Sequence, residues 1–276
     1  MSSPSCRPAS APGLSGLLEA YYTRYYRDTL GIREWRALVA VRLDDEDYEA
    51  RRLVRLETAL GAPIRGRRLL NVGCGPGGFN LAAERAGART WGVDADPEAV
   101  ALATGRMGRG HFLCAEAEQL PLASASVDVV YCYSTLEHVA DAERAVGEML
   151  RVLRPGGRLY LHAPNPWACY EGHYKVVWLP GLPRWLGQGY LRLRGRPVAF
   201  LDTLRPQSLR RYRRFIEAAG GRILRVLDGD RGRPIGGRLW PILRLHARFF
   251  GVAPSIELVA VRGAPPRSPE ARGGSA

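Results

Sequence analysis

Leu69-Leu70-Asn71-Val72-Gly73-Cys74-Gly75-Pro76-Gly77-Gly78 decides the fold of this chain. An apolar run short enough for a buried strand breaks into a glycine-rich turn, and an alanine-rich helical pattern follows from Phe79 to Ala86. Glycine in such a turn reaches backbone conformations closed to other residues and lets a ligand approach with no Cβ in the way. Gly73, Gly75 and Gly78 fit G-x-G-x-x-G, and a second apolar run ends at Asp94, 21 residues beyond Gly73. An acidic residue at that distance is placed to accept hydrogen bonds from ribose hydroxyls.

The pattern is a nucleotide-cofactor fingerprint that leaves NAD and S-adenosylmethionine both open. Later segments separate them. Residues 110–122 read as a third strand, an acidic turn at Glu116-Ala117 and a Leu120-Pro121 stop. Residues 126–132 read as a fourth strand, followed by Ser134-Thr135-Leu136-Glu137-His138-Val139. A helix over 142–153 then closes at Arg154-Pro155-Gly156-Gly157 before a fifth strand over 158–162. In this order the segments resemble the class I S-adenosylmethionine-dependent methyltransferases, in particular the small-molecule "type 11"-like group, over roughly residues 68–165. The resemblance implies a doubly wound, mostly parallel seven-stranded sheet with S-adenosyl-L-methionine as cofactor. An NAD-binding oxidoreductase has no reason to carry the Glu116-Ala117 and Arg154-Pro155-Gly156-Gly157 elements there. That reading and a non-catalytic member of the fold are the weaker alternatives.

At 276 residues and 46% hydrophobic content the chain can bury a full core. No run of about 18 apolar residues occurs, and a spanning helix is not expected. Residues 1–13 are rich in Ser, Pro and Ala without the apolar centre of a signal peptide, so they read as a disordered leader. The five cysteines are dispersed without C-x-x-C spacing, which favours reduced thiols in a cytoplasm over a disulfide frame; no metal site is expected. Charge is lopsided. Residues 1–150 carry 17 arginines against 20 carboxylates, whereas residues 151–276 carry 23 basic and 7 acidic groups, a net of +16. A basic half invites anionic partners: a phospholipid surface, a phosphorylated substrate or nucleic acid.

The order along the chain predicts a helical cap over 14–61, the cofactor-binding core over 62–165 and an acceptor-side insertion or lid over 166–209. The rest of the sheet follows over 210–262, and a disordered tail over 263–276. Tyr21, Tyr22, Tyr25 and Tyr26 share one face of the first helical pattern. The region from Ala163 to Pro206 holds six prolines and reads as irregular. Residues 239–250 place Trp240, Leu243, Phe249 and Phe250 opposite arginines, the pattern either of a helix packing its apolar face on the sheet or of one lying against an anionic membrane surface. The expected location is cytoplasmic, with peripheral membrane contact.

By the resemblance, the cofactor site comprises Asn71, Gly73, Gly75, Gly78, Asp94, Ala95, Glu116, Ala117 and Tyr133. Asp94 would take the ribose, Glu116 the adenine amino group. Asn71 departs from the acidic residue often found at its position. Methyl transfer from a sulfonium needs mainly in-line positioning, and a base only when the acceptor is a hydroxyl or a protonated amine. His138, Glu171 and His173 are the catalytic candidates, because a Glu-x-His pair in a cleft loop orients an imidazole. Tyr22, Tyr26, His162, Asn165 and Trp167 are the acceptor-side candidates. No Asn-Pro-Pro-Tyr motif follows the fourth strand, which argues against exocyclic-base or glutamine-amide methylation. The expected acceptor is a small or lipid-linked molecule with an oxygen nucleophile. The rival is an RNA methyltransferase or nucleic-acid binder that uses the basic half.

Overall fold

A computed structural model describes residues 13–107, 111–227 and 253–263. The predicted helix over 239–250 and nearly all of the predicted leader and tail lie outside those residues. β1 (Arg68–Val72) is an inner strand of a seven-stranded sheet, with β2 (Arg89–Asp94) and β3 (His111–Cys114) on one side. On the other side lie β4 (Val127–Tyr133) and β5 (Leu153–Pro164). The antiparallel pair formed by the last two strands of the chain completes this side. β1 pairs in parallel with both β2 and β4, so the strand order reverses at its carboxyl end, where open α/β sheets bind ligands.

Alternation along the strands explains the two cores. Leu70 and Val72 of β1 and Val130 and Cys132 of β4 pack on one face, under a helix over Ala142–Val152 and another over Leu209–Ala218. Leu69, Val129 and Tyr131 pack on the other face, against Leu56, Leu60, Phe79 and Ala83. Burial on both faces is why these strands read as nearly continuous apolar runs.

In chain order the helices are α1 (Leu14–Thr23), α2 (Trp35–Leu43), α3 (Glu46–Leu60), α4 (Gly78–Arg85), α5 (Pro97–Met107), α6 (Ala142–Val152), α7 (Arg184–Leu193), α8 (Ala199–Thr203) and α9 (Leu209–Ala218). The carboxylate of Asp141 accepts from the backbone N–H groups of Glu143 and Arg144 and starts α6, a cap worth about 1 kcal/mol. A π-helical segment, Arg24–Thr29, extends α1.

The structure corrects two sequence expectations. Arg154-Pro155-Gly156-Gly157 does not precede the fifth strand; it lies inside β5, where the register against β4 shifts between Val127 and Val129. The bulge takes up the extra residues, and Gly156 has a left-handed φ of 76°. The proline-rich insertion is also more ordered than its composition suggests. It forms a hairpin of β6 (Tyr170–Glu171) and β7 (Val176–Val177), then α7 and α8. Tyr174, Val176, Leu191, Leu201 and Leu204 pack there against Leu30 and Ile32 of the N-terminal segment. Cap and insertion thus share a core that local sequence does not announce.

The sheet ends with β8 (Gly221–Leu227) and β9 (Ser255–Arg262). β9 lies between β5 and β8 and runs against both.

Candidate active site

A cavity of about 880 Å³ opens at the carboxyl end of the sheet. The glycine loop after β1, the ends of β4 and β5, the tyrosines of the cap and the insertion all line it. The loop is built for close approach. Gly73 and Gly77 have φ of 74° and 78°, and a Cβ added to Gly73 would collide with the Thr135 side chain. Thr135 Oγ1 in turn donates to the Val72 carbonyl (3.1 Å) and holds the β4 loop against the glycine loop. The sequence pattern named Gly78, but the left-handed conformation falls on Gly77, the residue before α4. Gly78 has another constraint, since a Cβ there would meet the Asp45 carboxylate.

Asp94 closes β2 with its carboxylate turned to the loop. One oxygen accepts from the Gly75 N–H (2.7 Å) and the other from the Asp96 N–H (3.0 Å). Burial raises the Asp94 pKa, and the two N–H donors pull the other way. Asp96 caps the start of α5, accepting from the Glu98 N–H at 2.9 Å. Asn71 is buried, and its amide donates to Asn80 Oδ1 (2.7 Å).

At the far end of the cavity, four groups meet. His173 Nδ1 is 2.8 Å from Glu171 Oε1, and the other oxygen of Glu171 accepts from the Tyr174 N–H (2.6 Å). His173 Nε2 lies 3.6 Å from Glu137 Oε1, and His138 Nε2 lies 4.0 Å from the same oxygen. The two imidazoles are 5.3 Å apart, and Phe200 packs on both at 5.4 Å. Burial works against a charge on His173, yet Glu137 and Glu171 on either side outweigh it and push its pKa up to about 10. Burial lowers the pKa of His138, and the proximity of His173 adds to this while Glu137 opposes it.

Aromatic rings and arginines form the remaining wall. Tyr22 stacks on Tyr26 at 6.5 Å, and Tyr133 stacks on His162 at 3.9 Å with Arg52 over the Tyr133 ring at 4.2 Å. Glu49 is buried and accepts from Arg52 (2.9 Å), with Arg42 3.5 Å away.

Comparison with known proteins follows the same lines. Residues 70–161 match the family model described as a methyltransferase domain. A protein of Mycobacteroides abscessus named an uncharacterized methyltransferase is 37% identical over 166 residues, covering 56% of this chain and 62% of that one. One from Mycolicibacterium smegmatis, named a probable S-adenosylmethionine-dependent methyltransferase, is 39% identical over 124 residues, covering 45% and 48%. Over the matched core this chain is similar to the class I S-adenosylmethionine-dependent methyltransferases. That similarity implies S-adenosylmethionine as the cofactor. The chain spans about half to three-fifths of the length of the curated relatives it matches. A methyltransferase from Mesorhizobium loti shares the fold, with a TM-score of 0.52 at 19% identity, covering 72% of this chain and 92% of that one. The cyclase SpnF shares it too, with a TM-score of 0.52 at 24% identity, covering 83% and 82%.

The cradle fits that cofactor. Gly75 faces open space that no side chain fills, and Asp94 presents a carboxylate beside the loop. Asn71, Gly73, Gly75, Gly78 and Tyr133 line the cavity. Asp94, Ala95, Glu116 and Ala117 lie outside its lining, at the carboxyl ends of β2 and β3; Ala117 is buried, Glu116 exposed. His138, Glu171 and His173 come together at one end, and Tyr22, Tyr26, His162 and Asn165 line the wall. The Asn165 amide bridges the Ala253 carbonyl (2.9 Å) and the Trp167 N–H (3.1 Å), so it shapes the wall through backbone contacts. Trp167 is 57% exposed and does not line the cavity. Sequence reasoning passed over Glu137, Arg42, Arg52 and Phe200. Only Glu137 carried a signal, as an acidic residue between Leu136 and His138 in the turn after β4.

Proposed function

We propose that this chain transfers the methyl group of S-adenosylmethionine to an oxygen of a small or lipid-linked acceptor. The observation that carries the reading is one cavity that joins the glycine loop to the His138–His173–Glu171 cluster. Bound S-adenosylmethionine supplies a methyl group on a sulfonium with a neutral leaving group, so the chain's own task is to hold the acceptor in line. In the metal-free chain His138, kept neutral by burial, takes the proton of the acceptor hydroxyl. His173, with its two ring nitrogens turned to Glu171 and Glu137, is held charged and sets a fixed positive charge beside the acceptor. The tyrosine wall suits a partly apolar acceptor.

The lipid-linked option draws support from α7, whose Arg184 lines the cavity while Trp185 and Leu193 are 69% and 89% exposed. Among the described residues no helix is long and apolar enough to cross a membrane. Co-sedimentation with anionic vesicles is expected, reduced by Trp185→Ser with Leu193→Ser. Equal recovery from neutral vesicles would remove the lipid surface from the reading. The basic half offers nucleic acid as the rival, and a steep loss of RNA binding with added salt would favour it.

Asp94→Ala is expected to weaken S-adenosylhomocysteine by about 1–3 kcal/mol through lost charge-assisted hydrogen bonds. Part of that loss comes from freeing the Gly75 loop. Calorimetry checks it; tight NAD binding with no response to S-adenosylhomocysteine would sink the reading. Methyl transfer from labelled cofactor to hydroxyl acceptors, compared with their amine analogues, tests the oxygen assignment.

A further inference from the structure

We propose that Glu137, His138 and His173 form a binding site for a divalent transition-metal ion of the zinc class at the acceptor end of the cavity. The inference rests on the reading of that cavity as the acceptor site. Three ligating atoms, one from each residue, all lie within 4.8 Å of one another. Two imidazoles and one carboxylate are a donor set that catalytic zinc sites use, with a fourth position left open.

The independent observation is Glu137. Its side chain is fully buried, and among the described residues neither carboxylate oxygen has a hydrogen-bond donor. A carboxylate taken out of water needs a cation beside it. The groups facing it at short range are the two histidine nitrogens already described, at 3.6 and 4.0 Å, beyond hydrogen-bond distance. An ion between them would replace the proton that otherwise serves His173 and Glu137.

The surroundings match what a metal-binding histidine requires. Glu171 holds Nδ1 of His173 and is itself fixed by the Tyr174 N–H, which leaves Nε2 directed at Glu137. A carboxylate behind a ligand histidine sets its tautomer and raises its basicity. Phe200 restrains both rings from the insertion side. Zinc–ligand bonds of about 2.0–2.1 Å place tetrahedral ligands about 3.3 Å apart, so the widest spacing has to close. The His138 side chain, about one-third exposed, has room to rotate inward. His138 and His173 both line the cavity, which directs the open side of the ion to the space where an acceptor oxygen would enter.

The test uses the full chain stripped with a chelator and titrated with zinc by calorimetry and with cobalt by visible absorption. One ion per chain is expected, with cobalt bands of a four- or five-coordinate site. His173→Ala and Glu137→Gln should each weaken the ion at least tenfold, and Glu171→Gln by roughly ten- to a hundredfold. S-adenosylhomocysteine titration of each variant reports that it is folded. Should Glu137→Gln fail to fold, His138→Gln, at the partly exposed ring, supplies the same comparison. A chain that binds S-adenosylhomocysteine but neither ion overturns the site, as does unchanged ion affinity in the folded variants. Absence of S-adenosylhomocysteine binding by the unsubstituted chain is a separate result, and overturns the methyltransferase reading instead.

Discussion

His138→Ala is expected to lower kcat by about 10²–10⁴-fold, the range for loss of a positioned proton acceptor, with S-adenosylhomocysteine affinity unchanged. The imidazole stands at the acceptor end of the cavity, 5.3 Å from the His173 ring, and touches the chain there through Glu137 and Phe200. The cofactor contacts proposed above fall on the glycine loop and Asp94, which the imidazole does not touch, so the two effects should separate. Single-turnover methyl transfer read beside calorimetry gives both numbers. Retention of the full rate by His138→Ala would leave positioning as the sole contribution of this end. His173→Ala should also slow transfer, by weakening the hold on the acceptor.

The largest effect on stability is expected from Arg55→Ala, at about 3–5 kcal/mol. Glu257 is 1% exposed on β9; Arg55 Nε of α3 donates to both its oxygens, at 2.7 and 2.9 Å, and Tyr160 of β5 donates its hydroxyl at 2.5 Å. Removing the guanidinium leaves a buried carboxylate with the Tyr160 hydroxyl as its side-chain partner among the described residues. The reverse change is milder, because Arg55 is about one-third exposed and can turn to water. Glu257→Gln in the Arg55→Ala background should therefore recover part of the loss, since an amide carries no charge to strand. Urea unfolding of the four proteins completes the comparison. A cost below about 1 kcal/mol for Arg55→Ala, typical of an exposed pair, would contradict the burial argument.

Several parts of the molecule were legible in the chain because their causes are local. β1, the glycine loop and α4 follow from a run of apolar residues, backbone conformations that need glycine, and an alanine-rich helix. Asp94 could be placed from spacing alone, since the length of a βα unit is nearly fixed. Glu171 and His173 were visible as a pair two residues apart. By contrast, nothing local marked Glu137 as buried; its backbone carbonyl accepts from the Arg205 N–H, and its burial depends on the insertion reaching that turn. Trp167 looked like a pocket residue by its place after β5, and the Asn165 turn carries it out to solvent.

The sequence by itself determined the sheet, its mostly parallel order and the glycine-loop end of the cavity, because strand periodicity, turn chemistry and loop geometry act within a few dozen residues. The acceptor end was decided only in three dimensions. Leu30 and Ile32 meet Leu191 and Leu201 across a large separation in sequence, and that contact sets the roof under which Tyr25, Phe200 and the two histidines converge. Long-range burial has no local signature, since any apolar residue can satisfy it; the partner is chosen by the shape of the whole core.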